Sequence, residues 1–465
     1  MATHAEPMSD FEFDLPPELW EQIFAHLNGQ SLLSARMVCQ RWRAIADRKR
    51  SLWTKMRHRF QYGLQLDEQF ARDRWTPATS IRLNGSKILL VESSWWVPLG
   101  ERLTDINLMC CKVTLVTLLG MLRRTPNLER LSLYMVLVDC EEEPVGDFQL
   151  LKMREFHVRA DSTFGVFGEV FPRLSSLILE LGCIEQERSC RLIQLVQGTL
   201  KRLRFRATKY LALHMSLMNR LQLQHLNVIG SYEVAALYLC HVQPSIEELL
   251  MPKVDAPNSM LCLIGTKLPR LRQLETGLAK VETILTPSFL ATMPQLRKLS
   301  LTASLNKQQI NFTTYKCTHL NELYLNCLQP VENSLQAFLS GSQKLQKLEL
   351  FNCALDSWSN VLTMLADLPS LRHLKLGYLR LPDIVTPVPP NLRTNLEHLE
   401  LFGRSSMTSA MIVQLCSLSP QLKVLHLCKP PSVDDSTLQT LRSLLPLLTR
   451  LVHCKKPSGF VDCSN

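Results

Sequence analysis

One short pattern, with leucine or a substitute at its first, fourth and sixth positions, recurs along most of this chain and constrains its fold more than any other feature. Its first positions fall at Leu103, Leu128, Met153, Leu174, Leu200, Leu223, Ile246, Leu271, Leu296, Leu320, Leu345, Leu371, Leu396, Leu422 and Leu448. Successive copies stand about 25 residues apart, and a degenerate copy begins at Ala78. A unit this short cannot bury its own apolar face, so the copies must stack and shield one another.

Within each copy the aliphatic positions alternate with polar ones, the period of a strand with one buried face. Segments 115–122, 335–339, 361–365, 411–415 and 438–445 instead space their apolar residues as helices do. In eight copies a proline stands two residues before the first leucine: Pro126, Pro172, Pro244, Pro269, Pro294, Pro369, Pro420 and Pro446. Proline cannot continue a helix and holds its predecessor extended, so it ends one element and introduces the next. The unit is strand, turn, helix, turn, and its period is that of leucine-rich repeats. The expected fold is an α/β repeat solenoid, a leucine-rich-repeat horseshoe with a concave parallel sheet and convex helices. In the copies LTDINLMCCKV, from Leu103, and LQKLELFNCAL, from Leu345, Cys111 and Cys353 are placed to satisfy backbone groups inside the turn. The acidic stretch 141–149 and the proline-rich stretch 381–395 interrupt the rhythm and read as surface loops.

The segment ahead of the repeats has a different period. Pro16 and Pro17 suit a helix start, with Glu18 in the first turn. Leu19, Ile23, Phe24 and Leu27 then share one helical face. Asn28 and Gly29 end that helix, Ser31 is a cap for one carrying Leu32 and Leu33, and Val38, Cys39, Trp42, Ile45 and Ala46 mark a third. Three helices in so few residues make a very small core, which leaves apolar side chains for a partner.

This segment resembles the F-box: LPxEL at 15–19, Ile23 with Leu27, Leu32 with Leu33, VCxxW at 38–42, and the closing Leu52 and Trp53. An F-box before leucine-rich repeats resembles the F-box/leucine-rich-repeat family over nearly the whole chain. The resemblance implies a substrate receptor of a Skp–cullin–F-box ubiquitin ligase. The F-box would bind the Skp adaptor, and through it the cullin/RING scaffold, while the repeats hold a protein target for ubiquitination. Carried over by motif, the adaptor-facing residues are Leu15, Pro16, Glu18, Ile23, Leu27, Leu32, Leu33, Val38, Cys39, Trp42 and Trp53. Ile23, Leu27 and Trp42 serve equally well as the module's own core. The alternative is a Skp-binding or repeat-based scaffold or inhibitor outside ubiquitin transfer. The expected organisation is a disordered terminus at 1–12, the F-box at 13–59, a stiff connecting segment at 60–77, repeats at 78–454 and a tail at 455–465.

On the repeats, the third, fifth and seventh positions of each copy face the concave surface. Arg202, Arg204 and Arg206 form a row there, with Arg159 and His157 on one side and His225 and Asn227 on the other. Such a row suits an acidic or phosphorylated segment, unless Glu155 and Glu180 neutralise it. A second group, Tyr324, Phe351, His373, Lys375, His398, Phe402 and His426, reads either as a protein-binding surface or as scattered surface variation. In the N-terminal module Arg41, Arg43, Arg48, Lys49, Arg50, Lys55, Arg57 and Arg59 are interrupted only by Asp47. They form a solvated face or a complement to an acidic adaptor. Trp95 and Trp96 are expected to cap the first repeats.

The net charge of +10 is a moderate bias over 465 residues. It suits acidic protein partners, and neither fold nor stacking aromatics point to nucleic acid. The opening MATHAEPMSDFEFD does not read as a secretory signal, and no apolar run reaches the roughly 18 residues of a membrane span. The 15 cysteines form no CxxC pair, so reduced thiols in cytoplasm or nucleus are expected. No glycine-rich phosphate loop, nucleophile elbow or HExxH occurs, so neither a catalytic residue nor a cofactor or metal is expected.

Overall fold

The computed structural model describes residues 15–60, 62–66, 78–89, 96–139, 148–159, 166–180, 186–206, 208–230, 233–304, 308–316, 318–381, 392–403, 407–428 and 433–454. The chain divides into two compact units, Met1–Thr199 and Leu200–Asn465.

The first unit opens with three helices, α1 (Pro17–His26), α2 (Gly29–Arg36) and α3 (Gln40–Arg48). Pro17 starts α1 at no cost, because the first amides of a helix have no partner inside it. The cap of α2 is Asn28, not the expected Ser31: the Asn28 side chain accepts the Ser31 amide at 2.9 Å. Asn is among the strongest N-cap residues, and it precedes Ser31 at the point where the chain leaves α1. Cys39 caps α3, its Sγ accepting the Trp42 amide at 3.4 Å. The Arg36 guanidinium grips both carboxylate oxygens of Asp47, at 2.7 and 2.9 Å, and so clamps α2 to α3. A 3-10 turn, Arg50–Lys55, delivers Leu52 and Trp53 into a core that also holds Phe24, Leu32, Ala35, Ile45, Ala46, Met56 and Ala78.

Six parallel strands follow, each hydrogen-bonded to the next: β1 (Arg57–Arg59), β2 (Ser80–Asn84), β3 (Asp105–Met109), β4 (Arg130–Tyr134), β5 (Glu155–Arg159) and β6 (Ser176–Leu179). β1 lies one strand ahead of the first copy legible in the sequence. It has no aliphatic pattern, and the helical module sets it in register by leading straight into it. Trp96 is buried, and its indole N–H donates to the Met121 carbonyl at 3.0 Å. Trp95 and the interrupting stretch 141–147 lie outside the described residues.

The second unit repeats the plan in eleven parallel strands paired in chain order. They are β7 (Arg202–Arg206), β8 (His225–Ile229), β9 (Glu248–Ala256), β10 (Gln273–Leu278), β11 (Lys298–Ala303) and β12 (Glu322–Asn326), then β13 (Lys347–Phe351), β14 (His373–Gly377), β15 (His398–Phe402), β16 (Val424–Cys428) and β17 (Arg450–Cys454). The core positions are buried from β7 to β16 and half-buried in the last copy, at Leu448, Leu451 and His453, and the third, fifth and seventh lie on the open face, as in the exposed–buried alternation of β7. The layer behind the sheet is helical. In Trp358–Ala366, for example, Trp358, Val361, Leu362, Met364 and Leu365 are buried and the Ser357 hydroxyl caps the first turn. The expected helices at 115–122, 335–339, 361–365, 411–415 and 438–445 are all present. Residues 382–391, most of the proline-rich interruption, lie outside the described residues.

In several copies the turn just past the strand locks one copy to the next. Cys110, Met135, Cys327, Asn352 and Tyr378 all occupy the eighth position of their copy with φ between 50° and 57°, and Gly85 and Gly403 stand at the same position with φ 61° and 72°. This left-handed step turns each amide toward the next strand: Gly85 donates to the Met109 carbonyl at 2.8 Å, Cys327 to Phe351 at 3.0 Å and Tyr378 to Phe402 at 3.1 Å. One residue on, the Cys111 thiol sits against the Leu83 and Met109 carbonyls at 3.6 and 3.4 Å, and Cys353 makes the matching contacts to Leu325 and Phe351. This is the turn role that the sequence assigns to both cysteines.

Candidate protein-interaction surfaces

The helical module sorts the adaptor-facing candidates into three sets. Leu32 and Trp53 are 1% and 2% exposed, and the Trp53 indole donates to the Ala46 carbonyl at 2.7 Å. They build the module and do not reach its surface. Leu27, Leu33 and Trp42 are half-buried and pack on the core, with Trp42 4.4 Å from Trp20 and 5.5 Å from Phe24, centroid to centroid. Pro16, Glu18, Ile23, Val38 and Cys39 are exposed, and Leu15 is half-buried with its carbonyl accepting the Arg41 guanidinium at 3.1 Å. Of the two roles open to Ile23, Leu27 and Trp42, the structure places Ile23 outside and the other two against the core.

Two further apolar residues stand exposed beside this set. Leu19 shares one α1 face with Ile23, each 42% exposed, while Met37 adjoins Val38 at 79% and 63%. The core is complete without these four, and exposed aliphatic side chains at that density in so small a module are what a partner covers. The basic cluster is divided. Lys49 pairs with Glu21 at 2.6 Å, Arg43 and Arg48 are exposed on α3, and Arg57 and Arg59 belong to β1.

Residues 13–59 match the F-box-like family. No curated protein matches the chain. Among solved structures, an internalin from Listeria monocytogenes is similar at 16% identity and a TM-score of 0.39, covering 64% of this chain and 80% of its own. A TLR13–ssRNA13 complex is similar at 15% identity and a TM-score of 0.48, covering 81% and 59%, and mouse RP105/MD-1 at 14% and 0.36, covering 76% and 67%. An F-box-like module followed by leucine-rich repeats has the build of a protein-interaction adaptor.

In the first unit, Arg159 does not stand as a free anion site. Its guanidinium lies 4.6 Å above the Tyr134 ring, contacts the Tyr134 hydroxyl, and is 3.9 Å from Glu180. The neutralising partner Glu180 is therefore present, and Tyr134, in register with Arg159 on the neighbouring strand, is one the sequence did not reveal. In the second unit, Arg202, Arg204 and Arg206 all lie exposed on β7. Next to them His225 Nδ1 is 2.6 Å from a Glu248 carboxylate oxygen.

The aromatic and histidine group comes together. Tyr324 lies 5.8 Å from Phe351, and Phe351 6.2 Å from Phe402, centroid to centroid. Lys375 Nζ stands 5.8 Å from the Phe351 ring and 4.8 Å from Phe402, and pairs with Glu400 at 3.3 Å. His373 and His398 stack at 4.4 Å and 17°. His426 is in register with Glu400, and its Nε2 is buried with no hydrogen-bond partner among the described residues. Among the described residues no three His, Cys, Asp or Glu side chains gather as a metal ion would require.

Sequence reasoning missed a recess of about 300 Å³ on the same face, lined by Glu275, Ser300, Tyr324 and Glu349 from four successive strands, with Lys298, Glu322 and Lys347 around it. The signal was available: Ser300 is a small residue at a fifth position flanked by Glu275 and Tyr324.

Proposed function

We propose that this chain is the target-recognition subunit of a Skp–cullin–F-box ubiquitin ligase, acting in cytoplasm or nucleus and carrying no catalytic group of its own. The carrying observation is the F-box-like module at 13–59 with Leu19, Ile23, Met37 and Val38 exposed on a core that does not need them. These residues dock the Skp adaptor, and through it the cullin/RING scaffold. The open face of the repeats holds the protein target. The rate gain in ubiquitin transfer comes from proximity, since a target held near a loaded conjugating enzyme reacts at a raised effective concentration.

Geometry inside the first unit supports this reading. The Thr79 hydroxyl donates to the Trp53 carbonyl at 3.3 Å, Ala78 shares the F-box core, and β1 pairs directly with β2. The docking module is thus built onto the first repeats without a loose joint, as positioning requires.

The test is size-exclusion of the full chain with the Skp adaptor, for wild type and for Leu15→Ala/Pro16→Ala. Co-elution that the double variant loses supports the proposal. A folded wild-type chain that does not co-elute overturns it and leaves a repeat scaffold.

A further inference from the structure

The recess on β10 to β13 has features of a built site. One row of fifth positions runs Glu275, Ser300, Tyr324, Glu349 across neighbouring strands. Strands lie about 4.8 Å apart, so the walls at Glu275 and Tyr324 stand roughly 10 Å apart with only a serine between them. Ser300 is 8% exposed and lines the floor, and its hydroxyl makes no hydrogen bond among the described residues. The hydroxyl opens on the recess, where a ligand group can take the place of the water it meets.

The charges around the recess are almost all used. Lys298 pairs with Glu322 at 3.1 Å and Lys347 with Glu349 at 2.6 Å. Three carboxylates and two ammonium groups line the space, so one negative charge is left over. That charge belongs to Glu275, which forms no ion pair among the described residues. The Tyr324 hydroxyl, which burial followed by the neighbouring Glu349 carboxylate pushes up to about 12, is a neutral phenol whose lone pairs can accept from an incoming donor.

We propose that this recess receives the cationic head of an arginine or lysine side chain from the bound protein, with Glu275 as counter-ion and the Ser300 and Tyr324 oxygens as hydrogen-bond acceptors. The inference rests on the repeats being the target-binding face. It gives that face a chemical preference: a basic residue at the centre of the recognised segment. An acidic segment finds no free cation here, because both lysines are already paired.

The test uses the full chain and small probes, read by saturation-transfer NMR: N-acetyl-arginine amide, N-acetyl-lysine amide and the neutral isostere N-acetyl-citrulline amide. The expected result is saturable binding of at least one cationic probe and none of citrulline. Glu275→Gln removes the counter-ion and Ser300→Leu fills the floor, and each should weaken binding about tenfold or more. Melting temperature is measured alongside, and Glu275→Gln carries the test if Ser300→Leu does not fold. Absence of binding by both cations, equal binding of citrulline, unchanged affinity in Glu275→Gln, or occupation by inorganic phosphate instead would each overturn the proposal. The same preparations are run with the Skp adaptor. Co-elution without cation binding removes the recess and leaves the ligase reading, and the reverse result removes the ligase reading alone.

Discussion

The ring of Phe351 lies across Gly377, its partner in register on the next strand, so closely that a Cβ at Gly377 would stand 2.5 Å from two ring carbons. Gly377 also separates Phe351 from Phe402, and that gap lets Lys375 lie near both rings.

Gly377→Ala is therefore expected to lift the Phe351 ring and cost about 1–3 kcal/mol through overpacking. Thermal melting measures the loss. Phe351→Ala in the same background should recover most of it, because the three atoms nearest the added methyl all belong to that ring.

In the F-box-like module, exposure separates docking residues from supporting ones. Ile23→Glu and Val38→Glu should abolish co-elution with the Skp adaptor while changing the melting temperature little, since the two residues are 42% and 63% exposed and lie outside the core. Trp53→Ala should lose the adaptor only by losing the module, at a cost of about 3–5 kcal/mol for a buried aromatic. An adaptor that still binds Ile23→Glu/Val38→Glu would move the docking surface elsewhere.

The stacked imidazoles make stability depend on pH. Burial first, then the neighbouring His398 and Lys347, hold His373 below its ordinary value of 6.5. The unfolded chain takes up this proton before the folded one does. The stability is thus full above 6.5 and is lost as pH falls from 6.5 through the lowered folded value. Melting followed from about pH 8 to about pH 5 should show this slope, and His398→Gln should flatten it by removing one charged neighbour.

Thiol reactivity should divide the cysteines by depth. Burial pushes Cys240, Cys353 and Cys416 up to about 12, whereas Cys39 and Cys110 are exposed. Brief alkylation of the native chain at neutral pH should label Cys39 and Cys110 and spare the other three, as read by peptide mass mapping. Alkylation of Cys353 in the native state would mean that the turn after β13 opens readily.

The repeat was legible because a buried aliphatic position every second residue, returning about every 25, leaves few other folds open. The three helices were legible from another period, apolar residues three and four apart between capping residues, down to Pro17 at the start of α1. Other features left no mark in residue type. The left-handed step falls on Cys110, Met135 and Tyr378 as well as on glycine, because the inter-strand amide bond there outweighs local preference. β1 is Arg-His-Arg, a strand by position and not by pattern. At the candidate surfaces, the sequence names the side chains that share a face, as with Tyr324, Phe351 and Phe402. It does not tell which are already engaged, and so the contact of Arg159 with Tyr134 and the idle hydroxyl of Ser300 came only with the geometry.

The bond from Thr79 to the Trp53 carbonyl, together with Ala78 inside the helical core, bears on how such a chain can be altered by recombination. A docking module that borrows part of its interior from the neighbour cannot be cut out and grafted elsewhere intact. Excised at residue 59, it would leave Trp53, Met56 and Ala78 facing water on one fragment or the other, a loss of about 1.5–3 kcal/mol for each large side chain uncovered. Insertions and exchanges are therefore better tolerated farther along the array, where each copy meets a neighbour much like itself, than at the seam where the helices meet the sheet.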